Sequence, residues 1–141
     1  MLAGIGKNLH PDYRAELVFD DILYAPIAGL THEERAFLAL ILFRSFTHKR
    51  DVPNVAVIEK ILDKTQIETA RSVGAIIRLA IVATGRSVEL LSEFKLYIDY
   101  DILTLSVSQE EGALMTDQVM FRLKRLGQFM GLSTHVDTHK R

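Results

Sequence analysis

The stretch His10–Arg44, HPDYRAELVFDDILYAPIAGLTHEERAFLALILFR, decides how the fold is read, because it carries two helices with their punctuation intact. Pro11 suits a first helical position, where its fixed φ is already helical and no N–H is needed. Asp12 adds an acid at the positive end of the helix dipole. Leu17, Val18, Asp21 and Tyr24 mix apolar and polar residues over the next turns. Pro26 and Gly29 then break the pattern, and Thr31 with Glu34 forms a capping box in which each side chain satisfies the other residue's orphan backbone N–H. A second helix is therefore predicted from Thr31. Its centre, Ala36 to Phe43, is apolar almost all round, as in a helix enclosed within a domain and too short to cross a bilayer.

Outward from this pair, Thr47 to Val52 is polar and basic, and Pro53 opens a modest helix carrying Val57, Ile58, Ile61 and Leu62 at helical spacing. A second capping box, Thr65 to Glu68, is expected to start a long helix with the stripe Ile67, Ala70, Val73, Ile77, Ala80 and Ile81. Gly85 is placed to end it in a left-handed cap. Ser87 to Leu91 add a further turn. The hydrophobic period then drops from about 3.6 to about 2: Phe94, Leu96 and Ile98 alternate with Lys95, Tyr97 and Asp99, and Leu103, Leu105 and Val107 repeat the alternation. These runs read as a β-hairpin turning at Tyr100-Asp101, although that turn lacks a glycine. The final helix, Thr116 to Met130, presents Val119, Met120, Leu123, Leu126 and Phe129 on one face and Arg122, Lys124 and Arg125 on the other, and Gly131 stops it. The polar tail from Ser133 to Arg141 is expected to fray.

A chain of 141 residues with 48% hydrophobic content is long enough for one domain with its own core. A net charge of -1 provides no global drive toward nucleic acid or an anionic membrane, and neither is expected as a partner. The absence of cysteine excludes disulfides and thiolate metal sites and fits a cytoplasmic location. No secretory leader or membrane span is visible in the sequence. Met1 to Leu9 reads like the last turns of a helix whose beginning is missing.

The run His-Pro-Asp-Tyr-Arg at 10–14 follows Leu2-Ala3-Gly4-Ile5-Gly6 and precedes Gly29-Leu30-Thr31-His32 and Arg35-Ala36-Phe37-Leu38-Ala39-Leu40. Together these segments resemble the carboxy-terminal, HD-like helical domain of the exopolyphosphatase and guanosine pentaphosphate phosphatase (Ppx/GppA) family. The stretch from Arg71 to Gly131 fits the same pattern. The resemblance implies a mainly α fold, an HD-like domain of about five helices with one β-hairpin before the last helix. It would span 1–132, incomplete at its start, with 133–141 as a polar tail. It also implies that catalysis belongs to amino-terminal actin-like domains that use magnesium, and that this domain contributes to dimerisation and to binding polyphosphate or pppGpp through the complete enzyme.

Two rival readings stay open on sequence, an independent HD-type metallophosphohydrolase and a helical protein-interaction module. The first needs a His, a His-Asp dipeptide and a distant Asp around a divalent ion. The histidines are His10, His32, His48, His135 and His139, none is followed by Asp, and Gly4 stands where the family often carries an acid. No catalytic residue, metal ligand or cofactor is therefore expected in this chain. Leu2-Ala3-Gly4-Ile5-Gly6-Lys7 matches neither phosphate-loop pattern. His135 and His139, spaced i, i+4, are too few for a zinc site, and Glu16 with Asp20-Asp21 lacks a partner cluster for acid–base work.

Polyanion contact is what remains. Lys7, His10 and Arg14 lie around one helix start, and Arg44, His48, Lys49 and Arg50 lie at the end of the next. Arg71 and Arg78 are seven apart on the long helix. Arginine grips phosphate oxygens with a two-pronged fork, while the competing structural explanation is that such charges complement helix dipoles and solvate helix faces. The candidates for polyphosphate binding are His10, Arg14, Arg44, His48 and Arg78.

Overall fold

A computed structural model describes residues 11–47 and 51–141. The helices are α1 (Pro11–Tyr24), α2 (His32–Phe46), α3 (Val55–Ile61), α4 (Lys64–Thr84) and α5 (Asp117–Met130), and the strands are β1 (Phe94–Asp99), β2 (Ile102–Ser108) and β3 (Ser133–His139). Short 3₁₀ segments at Glu89–Glu93 and Gln109–Leu114 flank the hairpin. The fold is mainly α with a hairpin before the last helix, as the sequence predicts. Contacts group into two compact units whose boundary falls between Ala75 and Ile76, inside α4.

In the first unit the capping box predicted at Thr31 is present. The Glu34 N–H donates to Thr31 Oγ1 at 3.1 Å, and the Thr31 N–H donates to Glu34 Oε2 at 2.7 Å. These bonds, the backbone one foremost, hold the Glu34 carboxyl below its ordinary pKa. From Arg35 to Thr47 no residue of α2 or its C-cap is exposed, which is the enclosure its all-round apolar pattern implies. Ala15, Val18, Phe19, Ile22 and Leu23 of α1 pack with Ala36, Ala39, Leu40 and Phe43 of α2, and Ile58, Leu62 and Ala70 complete the core.

The second capping box stands two residues earlier than Thr65–Glu68. Asp63 and Gln66 exchange the reciprocal bonds, at 2.8 and 2.9 Å, and α4 begins at Lys64. Asp is at least as good an N-cap as Thr, and Gln serves at N3 as Glu does, so the earlier frame prevails. At the far end, Gly85 adopts φ +56, the left-handed cap expected of it.

The second unit is built on β2. It pairs antiparallel with β1, Asp99 opposite Ile102, and parallel with β3, Ile102 opposite Ser133. The tail expected to fray is therefore a strand. Its sequence, STHVDTH, offers a single large apolar residue, Val136, and so shows no alternation that would announce it. What holds it is the ladder to β2 and a clasp beyond it. Arg141 forms an ion pair with Glu93, a carboxylate that is only 6% exposed, and a second one with Glu110 at 3.4 Å. The hairpin turn dispenses with glycine because Tyr100 itself takes φ +51.

One sheet face carries Phe94, Leu96, Leu103, Leu105 and Val107, and an apolar cavity of about 150 Å³ lies between it and Leu79 and Ala83 of α4. On α5, Val119, Leu123 and Leu126 are buried, whereas Met120 and Phe129, expected on the same face, are more than 40% exposed. They sit at the margins of the stripe. Gly127 of α5 permits close approach to β3, because a Cβ there would press on the Thr134 side chain and lie 2.9 Å from Leu132 O.

The Glu93 carboxyl is held below its ordinary value by the Arg141 hydrogen bonds first and by the Ser108 hydroxyl next. A group depressed in this way stabilises the fold fully above its unfolded pKa of about 4.5 and loses that contribution as pH falls through the folded value. Arg141→Gln is therefore expected to unfold at a lower temperature than the parent at pH 7. The gap should narrow as pH falls below about 4.5 in melting curves followed by circular dichroism.

Candidate cationic site on the helical unit

Arg14 rises from the second turn of α1 and Arg44 from the last turn of α2. The Arg14 guanidinium carbon lies 5.8 Å from the ring centroid of Phe46, and that of Arg44 lies 5.7 Å from the ring centroid of Phe43. Phe43 is wholly buried and meets Phe19 edge to face, with centroids 6.0 Å apart and an interplanar angle of 75°. The start of α1 and the end of α2 thus bring two arginines to one end of the helix pair, each laid on an aromatic face where a cation is favoured.

The long helix adds a third. Burial lowers the Arg44 pKa, and the like charge of Arg71 lowers it further, so two guanidiniums lie within each other's field. Arginine stays charged at neutral pH even so. The approach of α4 to α2 depends on Gly74. A Cβ at that position would press on the Arg44 Cβ and stand 2.8 Å from the Ile41 carbonyl oxygen. Gln66 near the start of α4 also donates a hydrogen bond to Glu33 near the start of α2, so the two helices run in the same direction.

Of the sequence candidates, Arg14 and Arg44 stand at the same end of the α1–α2 pair. His10 and His48 lie outside the described residues, as do Lys7, Lys49, Arg50 and the segment Leu2 to Lys7. Arg78 belongs to the second unit, half-buried on α4. Sequence reading placed Arg71 beside Arg78 as a helix pair and left it out of the leading candidates. The missed signal was Gly74, a glycine inside an otherwise unbroken helical pattern, which marks a close packing contact.

His135 and His139 lie on β3, not on a helix, and His139 Nδ1 is 2.9 Å from Ser106 Oγ. Among the described residues, no group of three or more His, Asp or Glu side chains is placed to hold a metal ion. Also among the described residues, no helix is long and apolar enough to cross a membrane.

Comparison with known proteins gives one family. The model described as "Exopolyphosphatase, C-terminal" matches residues 1–136. No curated protein matches the chain.

If Gly74 sets the distance between Arg44 and Arg71, Gly74→Ala should destabilise the helical unit by about 1–3 kcal/mol through overpacking. Gly112→Ala, where a new Cβ meets nothing within 4 Å, serves as the control and should leave the melting temperature nearly unchanged. Equal effects of the two substitutions would remove Gly74 from this role.

Proposed function

The chain belongs to the exopolyphosphatase C-terminal family, and on that premise we propose that it is an accessory domain of an exopolyphosphatase-like phosphohydrolase that helps bind the polyphosphate chain and joins copies of the enzyme. Hydrolysis takes place in amino-terminal domains outside this chain, with magnesium, and pppGpp is the alternative substrate of the whole protein. The cysteine-free composition supports a cytoplasmic setting.

The observation that carries the binding role is the grouping of Arg14, Arg44 and Arg71 on one unit, with Arg44 in the field of Arg71. A linear polyanion relieves repulsion between neighbouring cations, and each guanidinium offers a fork that fits phosphate oxygens. Aromatic support from Phe43 and Phe46 holds Arg44 and Arg14 in place before any ligand arrives, which reduces the entropy lost on binding.

Long-chain polyphosphate should bind the purified chain with an affinity that falls steeply as salt rises, because neutralised phosphates release counterions. Arg14→Ala and Arg44→Ala should each weaken binding roughly five- to tenfold and flatten the salt dependence. Arg14→Lys separates fork from charge, since it retains the salt slope while losing affinity. Unchanged binding by the double alanine variant in a filter or fluorescence assay would exclude these residues.

The isolated chain is expected to release no phosphate from polyphosphate or pppGpp in the presence of magnesium or manganese. Metal-dependent release that disappears with His10→Ala would instead establish the HD-type hydrolase.

A further inference from the structure

In the sheet order β1-β2-β3, the outer side of β1 pairs with no strand among the described residues. Lys95, Tyr97, Ile98 and Asp99 are exposed along it, with Ile98 at 51%. The hairpin turn is two residues long, so Asp99 and Ile102, which close it, exchange ladder hydrogen bonds. Antiparallel alternation then directs the backbone groups of Lys95 and Tyr97 inward to β2 and those of Leu96 and Ile98 outward. Outward-facing N–H and C=O groups on an edge are a template for another strand.

The strand FKLYID complements itself. When two copies are laid antiparallel about a twofold axis through Tyr97, Leu96 exchanges backbone bonds with the partner's Ile98, and Ile98 does so with the partner's Leu96. In the same register Lys95 stands directly opposite the partner's Asp99, and this happens twice by symmetry. Moving the axis to Leu96 satisfies the same backbone groups but sets Lys95 against the partner's Tyr97. A shift of odd parity sets outward groups against inward ones. Charge therefore selects one register among those the backbone allows. Among the described residues, the ion pairs within the chain use other side chains, so Lys95 and Asp99 keep their charges for this contact.

We propose that β1 is the surface on which a second copy of this chain docks, in the Tyr97-centred register, to give a continuous six-stranded sheet across the dimer. This specifies the joining of copies within the function proposed above and rests on that reading. The opposite edge is a weaker match. Self-pairing of β3 about Val136 sets a histidine, His135, and not a lysine against the partner's Asp137.

Sedimentation of the chain and its variants tests the register. Lys95→Asp and Asp99→Lys each create like-charge contacts across the axis and should raise the dimer dissociation constant by about tenfold or more, and the double exchange should restore it. Circular dichroism spectra of the single variants matching the parent establish that they fold.

A second measurement is direct, because the chain has no cysteine of its own. Tyr97→Cys puts two thiols in a non-hydrogen-bonded pair about 5 Å apart, within disulfide reach, and should yield a covalent dimer on mild oxidation. The exposed control Lys124→Cys should not. A dimer whose dissociation constant ignores both charge reversals, or cross-linking no faster at 97 than at 124, overturns the β1 interface and leaves the joining of copies standing. A chain that stays monomeric at every concentration overturns both.

Discussion

Phe43 lies wholly inside the helical unit with its ring against Phe19, and the cationic end of that unit takes its geometry from this contact. Arg44 follows Phe43 directly in the chain and folds back over its ring. Phe46, one turn beyond, receives Arg14 from the neighbouring helix. An aromatic residue locked in a core is a rigid platform. Cation–π attraction of about 0.5–1 kcal/mol at such partly exposed sites is modest, but it favours the placement of each guanidinium over its ring. The opposing effect is desolvation, which disfavours the charged form of Arg44 and is reinforced by Arg71. The guanidinium's high intrinsic pKa decides between them, so the charge persists and the repulsion persists with it.

The helical unit was legible in the sequence wherever a local signal existed. Thr31 and Glu34, Pro26 and Gly29, and the unbroken run from Ala36 to Phe43 each state a rule satisfied within a few residues, and α1 and α2 follow them. The capping frame of α4 shows the limit. Thr65–Glu68 and Asp63–Gln66 are both valid boxes, and only the folded chain distinguishes them. The cationic site was legible as composition, since arginines at helix ends can be counted, but not as proximity. Arg71 comes to Arg44 through helix packing, and its sole trace in the sequence is the absent side chain at Gly74.

The sheet divides in the same way. Strict alternation announced β1 and β2, whereas β3 carries one large apolar residue and is held by partners distant in the chain, namely the backbone of β2 and the Glu93 carboxylate that Arg141 covers. Non-local pairing leaves no periodic mark on the segment that undergoes it. The buried hydroxyls Thr104, Ser106 and Ser108 follow from this arrangement, for short side chains in a central strand are shaded by longer ones on both sides. Ser106 then meets His139 at 2.9 Å, which draws the two strands' polar face into the sheet's own hydrogen bonding.

The parallel pairing of β2 with β3 also sets an order of events during folding. The hairpin of β1 and β2 closes through two intervening residues, a microsecond-scale step, while β3 can join only after the chain has run through the second 3₁₀ segment and α5 and returned. Until it does, β2 is an edge strand and Glu93 lacks its guanidinium. During that interval the β2 edge is open to the surroundings, and its closure waits on the slowest contact in the unit.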